Sequence, residues 1–76
     1  MVYSIMLEGR DEGRSFLITL DVVGPSRTAA KKVALDEAAR RGLEIIGVEE
    51  VTRKGSHQAP IGSGVLKVYG KAYFDA

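Results

Sequence analysis

The last strand-like stretch of the chain alternates basic and aromatic residues. Successive side chains of a strand point to opposite faces, so one face is expected to carry four of these residues: Lys67, Tyr69, Lys71 and Tyr73. Lysines can bind phosphates and tyrosine rings can stack on bases, which is the chemistry that binding of single-stranded nucleic acid requires. The same residue types are also common in protein–protein interfaces. The pattern therefore leaves two kinds of partner open, a nucleic acid and a protein.

Part of this stretch resembles the aromatic strand motif of RNA-recognition domains, which reads basic, Gly, aromatic, Gly or Ala, Phe, Val, any residue, aromatic. Four residues match the motif: Lys67, Tyr69, Gly70 and Phe74. Val68 replaces its glycine, Lys71 replaces its stacking aromatic, and the second helix of those domains is missing. The resemblance covers eight residues and implies an RNA or single-stranded DNA ligand.

The remaining residues that could do chemistry do not form a catalytic pattern. His57 is the only histidine and lies in a polar loop, and nothing in the sequence places a serine and a carboxylate around it. One histidine, no cysteine and scattered carboxylates have no metal-ligand spacing. The Gly-Ser-Gly triplet over residues 62–64 precedes a strand rather than a helix, so it is not a phosphate-binding loop. We expect no enzyme activity, no cofactor and no metal ion.

Length and charge limit the class of protein. The chain is predicted to be a single small domain over residues 1–76. Its 11 Lys and Arg nearly balance its 10 Asp and Glu, and this net charge of +1 argues against binding duplex DNA by bulk charge. Charged residues interrupt each apolar run before the roughly 20 residues of a membrane helix, and the first residues do not read as a signal peptide. With no cysteine, we expect a soluble cytoplasmic protein that does not bind a membrane.

Local patterns predict a hairpin followed by a helix. Alternating apolar residues indicate strands over residues 2–8 and 15–23, joined by a charged, glycine-bounded loop over residues 9–14. An N-capping serine and a terminating glycine delimit a helix over residues 27–41. Its small apolar residues fall on one half of the helix surface and are expected to pack on the sheet: Ala30, Ala34, Leu35, Ala38 and Ala39.

Two further strands are predicted after the helix, over residues 43–53 and 64–74, separated by a loop over residues 54–63. The order ββαββ predicts a two-layer α+β domain with one helix on one face of a four-stranded, mainly antiparallel sheet. Strand 43–53 is apolar on both faces and is therefore expected inside the sheet. This position gives strand order 2-1-3-4, with 1-2-3-4 as the alternative.

A single helix leaves the other face of the sheet uncovered. The residues expected there are too apolar for a free surface, and five of them form the predicted interface: Met6, Leu17, Val65, Tyr69 and Tyr73. Our leading hypothesis is a non-catalytic protein-interaction module that forms a homodimer, or binds a protein partner, through this face or through edge strand 15–23. The alternative is a single-stranded nucleic-acid binder, whose predicted contacts are Arg53, Lys54, Lys67, Tyr69, Lys71 and Tyr73.

Overall fold

The structure is a computed structural model that describes residues 1–55 and 63–74. It contains five strands and one helix: β1 (Val2–Asp11), β2 (Arg14–Val23), α1 (Arg27–Arg40), β3 (Glu44–Gly55), β4 (Gly64–Val68) and β5 (Ala72–Phe74). The strands pair antiparallel in one sheet, and α1 packs against it. The predicted two-layer α+β architecture is confirmed, with the last predicted strand divided into β4 and β5. In the described ranges, no helix combines the length and the apolar composition that crossing a membrane would require.

The first hairpin is longer and tighter than the sequence pattern suggested. β1 and β2 stay paired out to Asp11 and Arg14, so the turn consists of Glu12 and Gly13 alone. Both turn residues have positive φ, 50° and 81°, which is the type I′ geometry that matches the twist of the flanking strands. The predicted loop over residues 9–14 was wrong, because charged residues pair through their backbone groups as readily as apolar ones.

The helix lies close to its predicted position. The Ser26 side chain accepts a hydrogen bond from the backbone N–H of Ala29 over 3.1 Å, and α1 ends at Arg40, one residue before the predicted end. Its buried residues are three alanines spaced four apart: Ala30, Ala34 and Ala38. Leu35 and Ala39 were also predicted to pack on the sheet but are exposed. The alanine stripe and the partly buried Val33 make the contact with the core, so residues at the margin of that half of the helix remain in solvent.

The order of strands in the sheet is β3-β1-β2-β4, with β5 also paired to β2. The pairing of β1 with both β2 and β3 agrees with the preferred prediction. The terminal strands, however, lie against β2 rather than β3, so both predicted orders, 2-1-3-4 and 1-2-3-4, were wrong. β3 is consequently an edge strand, and β2, predicted as an exposed edge, lies inside the sheet.

The apolar composition of β3 led to the wrong prediction that this strand lies inside the sheet. Ile45 and Val51 pack against the core, whereas Ile46 and Val48 are exposed at 48% and 38%. Three register shifts interrupt the pairing of β3 with β1, and such bulges are typical of edge strands because they hinder pairing with a further strand. An apolar strand sequence therefore did not mean an inner position here.

The core lies between α1 and the face of the sheet that it covers. Its large side chains come from β1 and β2: Tyr3, Ile5, Leu7, Phe16, Ile18, Leu20 and Val22. On the opposite side, which we call the uncovered face, alternate residues of the same strands are half-buried: Val2, Ser4, Met6, Glu8, Leu17, Thr19 and Asp21. The 14 residues of α1 span about 21 Å and the 10 residues of each hairpin strand about 33 Å. The chain enters α1 from the open end of the hairpin, where the backbone N–H of Gly24 donates a hydrogen bond to the carbonyl oxygen of Met1, so it is the turn end that extends past the helix.

Candidate interaction surface

β4 contains one residue more than the part of β2 that it pairs with. Lys67 lies opposite Asp21 in β2. The next paired residue, Val65, lies opposite Val22, so Leu66 is the extra residue of a β-bulge. Residues directly opposite each other share a face, which places Lys67 on the uncovered face and Val65 on the covered one. Val65 packs against the core, so its predicted place on the uncovered face was wrong.

A second offset separates β4 from β5. Val68 and Ala72 lie opposite residues of β2 that are three positions apart, although they are themselves four positions apart. The side chains after the offset therefore change sides. Tyr73 lies on the covered face, opposite Phe16, whereas Ala72 and Phe74 lie on the uncovered face. The predicted single row of two lysines and two tyrosines was wrong, because strict alternation requires an unbroken strand.

On the uncovered face, Tyr69 lies between a carboxylate and an ammonium group. Its hydroxyl donates a hydrogen bond to Asp21 Oδ2 over 2.8 Å, and Lys67 Nζ lies 4.6 Å from its ring centroid. The hydrogen bond to the Asp21 carboxylate raises the pKa of Tyr69. Asp21 Oδ1 is buried and has no hydrogen-bond partner among the described residues. Lys67 thus lies over the tyrosine ring and is itself exposed.

Lys71 and Tyr73 lie at the turn end of the hairpin. Asp11 Oδ2 accepts hydrogen bonds from the Tyr73 hydroxyl over 2.7 Å and from the Lys71 ammonium over 3.5 Å. The Tyr73 ring meets the Phe16 ring edge-on, with 5.8 Å between centroids, and the Arg14 guanidinium lies 4.1 Å from the Tyr73 centroid. This cluster packs on the end of the core that the helix does not reach. Lys71 and Tyr73 therefore cover the end of the core at the hairpin turn. They do not extend the surface that Lys67 and Tyr69 form.

We expect the Asp11 carboxylate to make the stability of the protein depend on pH. The hydrogen bond from Tyr73, followed by the charges of Lys71 and Arg14, holds the pKa of Asp11 below its ordinary value of 3.8, against an opposing effect of desolvation. A lowered pKa in the folded state adds stability above the unfolded-state pKa, and this stability is lost as the pH falls through the folded-state value. Asp11→Asn should therefore be less stable than the native protein at neutral pH, by a margin that shrinks in acid.

Urea midpoints of the two proteins, measured from neutral pH down to about pH 2, test this expectation. Tyr73→Phe removes the hydroxyl donor that contributes most to the pKa shift, so it should also make the stability less dependent on pH. A difference in midpoint between Asp11→Asn and the native protein that stays constant over the whole range would contradict the role of this carboxylate.

The other predicted nucleic-acid contacts lie apart from Lys67 and Tyr69. Arg53 and Lys54 are exposed at the end of β3, and two strands separate β3 from β4, a distance of roughly 14 Å. The structure therefore does not bring the six predicted contacts together. His57 lies outside the described residues, and within those residues no three side chains of His, Cys, Asp or Glu are grouped as a metal ion would need.

The uncovered face has a depression beside β5. We call it the β5 depression, and its lining residues are Glu8, Leu17, Glu49, Ala72, Tyr73 and Phe74. Leu17 is flanked across the sheet by Glu8 on one side and Ala72 on the other, and Phe74 is 39% exposed. In the part of the chain that the structure describes, no ion pair includes Glu8 or Glu49. The depression thus combines apolar side chains with two carboxylates that form no ion pair within residues 1–55 and 63–74.

Alternation along the strands predicted half of this surface. Met6 and Leu17 lie on the uncovered face as predicted, because β1 and β2 pair without a register shift. Ala72 and Phe74 were predicted to point the other way. Gly70 was the signal that could have corrected this, since a glycine inside a strand often marks a bulge, and a bulge reverses the direction of the side chains that follow.

The uncovered face is the candidate functional surface of the protein. No family model matches the sequence, and no curated protein or solved structure matches the chain. This face contains an apolar depression with two carboxylates. Next to the depression lies Tyr69, which donates a hydrogen bond to Asp21 and has the Lys67 ammonium over its ring. Such a surface is suited to holding an apolar group beside a cation.

Proposed function

We propose that this protein is a non-catalytic interaction module that self-associates through the uncovered face of its sheet. The observation that carries the proposal is the β5 depression, where Leu17, Ala72 and Phe74 leave apolar surface facing solvent. Met6 continues this surface on β1. Burial of apolar area stabilises by roughly 25 cal/mol per Å², and a small domain, which buries a limited fraction of its own surface, has more to gain from it than a large one. A second copy of the chain is a partner that is always present.

Binding of single-stranded nucleic acid is less well supported. Lys67 is held over the Tyr69 ring, and the hydroxyl of that tyrosine is bonded to a carboxylate. Glu8 and Glu49 add negative charge beside the depression, and this charge repels a phosphate backbone. A nucleic acid would therefore have to displace contacts that already exist within the protein.

Association through an edge strand is also less well supported than association through the face. The free edge of β3 belongs to a strand with three register shifts. At the other edge, β4 and β5 contain only five and three residues. Short or irregular edges offer few aligned N–H and C=O groups to another chain.

The mass of the protein in solution tests the proposal. Size-exclusion chromatography with light scattering should give a mass above the 8.2 kDa of one chain that rises with concentration. Association should persist in high salt, because the contact is mainly apolar. Leu17→Asp and Phe74→Asp should each return the protein to a monomer. Ile46→Asp is the matched control, since it changes an exposed apolar residue of β3 outside the depression and should leave the mass unchanged.

A native protein that stays monomeric at every concentration would contradict the proposal. Binding of mixed oligonucleotides at low salt, weakened by Tyr69→Ala, would instead favour the nucleic-acid alternative. Far-UV circular dichroism of each variant separates the loss of a contact from the loss of the fold.

A further inference from the structure

The charges of the chain are divided between two of its surfaces. α1 carries more basic than acidic residues: Arg27, Lys31, Lys32 and Arg40 against Asp36 and Glu37. The uncovered face and the β5 depression carry more acidic than basic residues: Glu8, Asp21, Glu44, Glu49 and Glu50 against Arg10 and Lys67. The net charge of the whole chain is +1. A nearly neutral total thus conceals a basic helix and an acidic sheet surface.

Leu35 is an exposed apolar residue on the basic helix. It is 38% exposed and lies outside the core cluster. Lys31 and Lys32 precede it by four and three positions, which makes them its neighbours on the helix surface. Lys32 pairs with Asp36 over 2.9 Å, whereas no ion pair among the described residues includes Lys31. The helix therefore presents an apolar side chain with cations beside it.

The β5 depression has the complementary character. Its apolar residues are accompanied by the carboxylates of Glu8 and Glu49. If two uncovered faces stacked on each other, the carboxylates of both copies would be brought together, and like charges repel. The outward surface of α1 brings lysines to the same place instead. Charge complementarity thus favours the helix of a second copy over its sheet as the occupant of the depression.

We infer that the Leu35 side chain of one copy occupies the β5 depression of the next copy. The two lysines beside this leucine then face the two glutamates of the depression. This inference rests on the proposed function and specifies which surface of the second copy takes part. The leucine contributes buried apolar area, while the exposed charges determine orientation more than affinity.

A contact of this kind joins two different surfaces and is heterologous. Each pair of copies still has one free depression and one free helix, so association continues into a ring or an open chain. We therefore expect the mass of the native protein to rise past that of a dimer as the concentration increases.

Two variants that are each disabled on one surface test the inference. Leu35→Glu removes the apolar side chain from the helix and leaves the depression intact. Phe74→Asp disables the depression and leaves the helix intact. Each variant alone should associate at least about tenfold more weakly than the native protein. Mixed in equal amounts, they should form a one-to-one dimer and nothing larger, because only one productive contact remains.

A charge exchange tests the orientation of the contact. Lys31→Glu and Glu49→Lys should each weaken association about two- to fivefold. The two changes in one chain should restore most of the lost affinity. Arg27→Glu is the matched control, since it makes the same change of charge about two helical turns from Leu35. It should affect association less than Lys31→Glu does.

Four results would overturn the inference. If Phe74→Asp is monomeric but Leu35→Glu associates like the native protein, the helix is not the partner surface and the proposed function stands. A closed dimer of the native protein, or an equal mixture of the two variants that stays monomeric, would exclude the helix-to-depression contact as well. A native protein that is monomeric at every concentration would contradict both the inference and the proposed function.

Discussion

Gly9→Ala is expected to lower the free energy of unfolding by about 3 kcal/mol. Gly9 lies opposite Phe16 in the hairpin. A Cβ atom at this position would lie 2.8 Å from Cε2 of the Phe16 ring and 2.6 Å from the backbone oxygen of Glu44. Both separations are far below van der Waals contact. The ring is fully buried and the oxygen belongs to the β3 backbone, so neither can move aside without loss of packing or pairing.

Urea unfolding followed by far-UV circular dichroism measures this effect. Gly47→Ala is the matched control, because Gly47 also lies in a strand and a Cβ atom there would meet nothing within 4 Å. Its alanine variant should be neutral or slightly more stable, since alanine reduces the freedom of the unfolded chain. Phe16→Leu in the Gly9→Ala background should cost less than the sum of the two single changes. Equal midpoints for Gly9→Ala and Gly47→Ala would contradict the packing described.

Phe16→Ala is expected to have the largest effect on folding of any change considered. The side chain is fully buried, and it contacts the Tyr73 ring edge-on while the Lys71 ammonium lies 5.0 Å from its centroid. Truncation of a buried phenylalanine costs about 3–5 kcal/mol, and the whole stability of a domain of 76 residues is about 4–11 kcal/mol. We therefore expect the urea midpoint of this variant to fall further than that of any other variant, with amide dispersion in NMR spectra lost at a lower urea concentration than in the native protein.

Phe74→Ala is the control for this prediction. It removes the same side chain from the opposite face of the sheet, where Phe74 is 39% exposed. The fold should persist with a loss of less than about 1 kcal/mol, while self-association weakens. Both variants are best compared at high dilution, because association adds to the apparent stability. If Phe74→Ala unfolded the protein as much as Phe16→Ala, the two aromatic residues would not lie on opposite faces.

Signals between residues close in the chain were sufficient for the helix and for most of the first hairpin. Ser26 and the alanines after it predicted where α1 begins, because capping and helical periodicity involve residues three or four positions apart. Alternation in β1 and β2 likewise placed Met6 and Leu17 on the uncovered face. These strands pair without a register shift, so every side chain keeps the direction that its position predicts.

The terminal segment shows why the rest of the surface could not be predicted in the same way. Each side chain of a strand points opposite to the one before it. One extra residue therefore reverses the direction of all the side chains that follow. Two such offsets, at Leu66 and between Val68 and Ala72, moved Val65 and Tyr73 to the covered face. A glycine such as Gly70 can indicate where a bulge is tolerated, but whether the strand contains one depends on the partner strand and on what packs beside it, and neither is encoded locally.

The basic and aromatic row of the last strand therefore exists in the sequence but not in the fold. By itself, the sequence determined the α+β class, the helix and the antiparallel hairpin, because these follow from periodicity and capping between near neighbours. Only the tertiary structure decided that the terminal strands pair with β2, that Tyr69 binds Asp21 and that Phe74 lies beside Leu17. Backbone hydrogen bonds are alike on every strand, so the choice of partner and register rests on side-chain packing between distant parts of the chain.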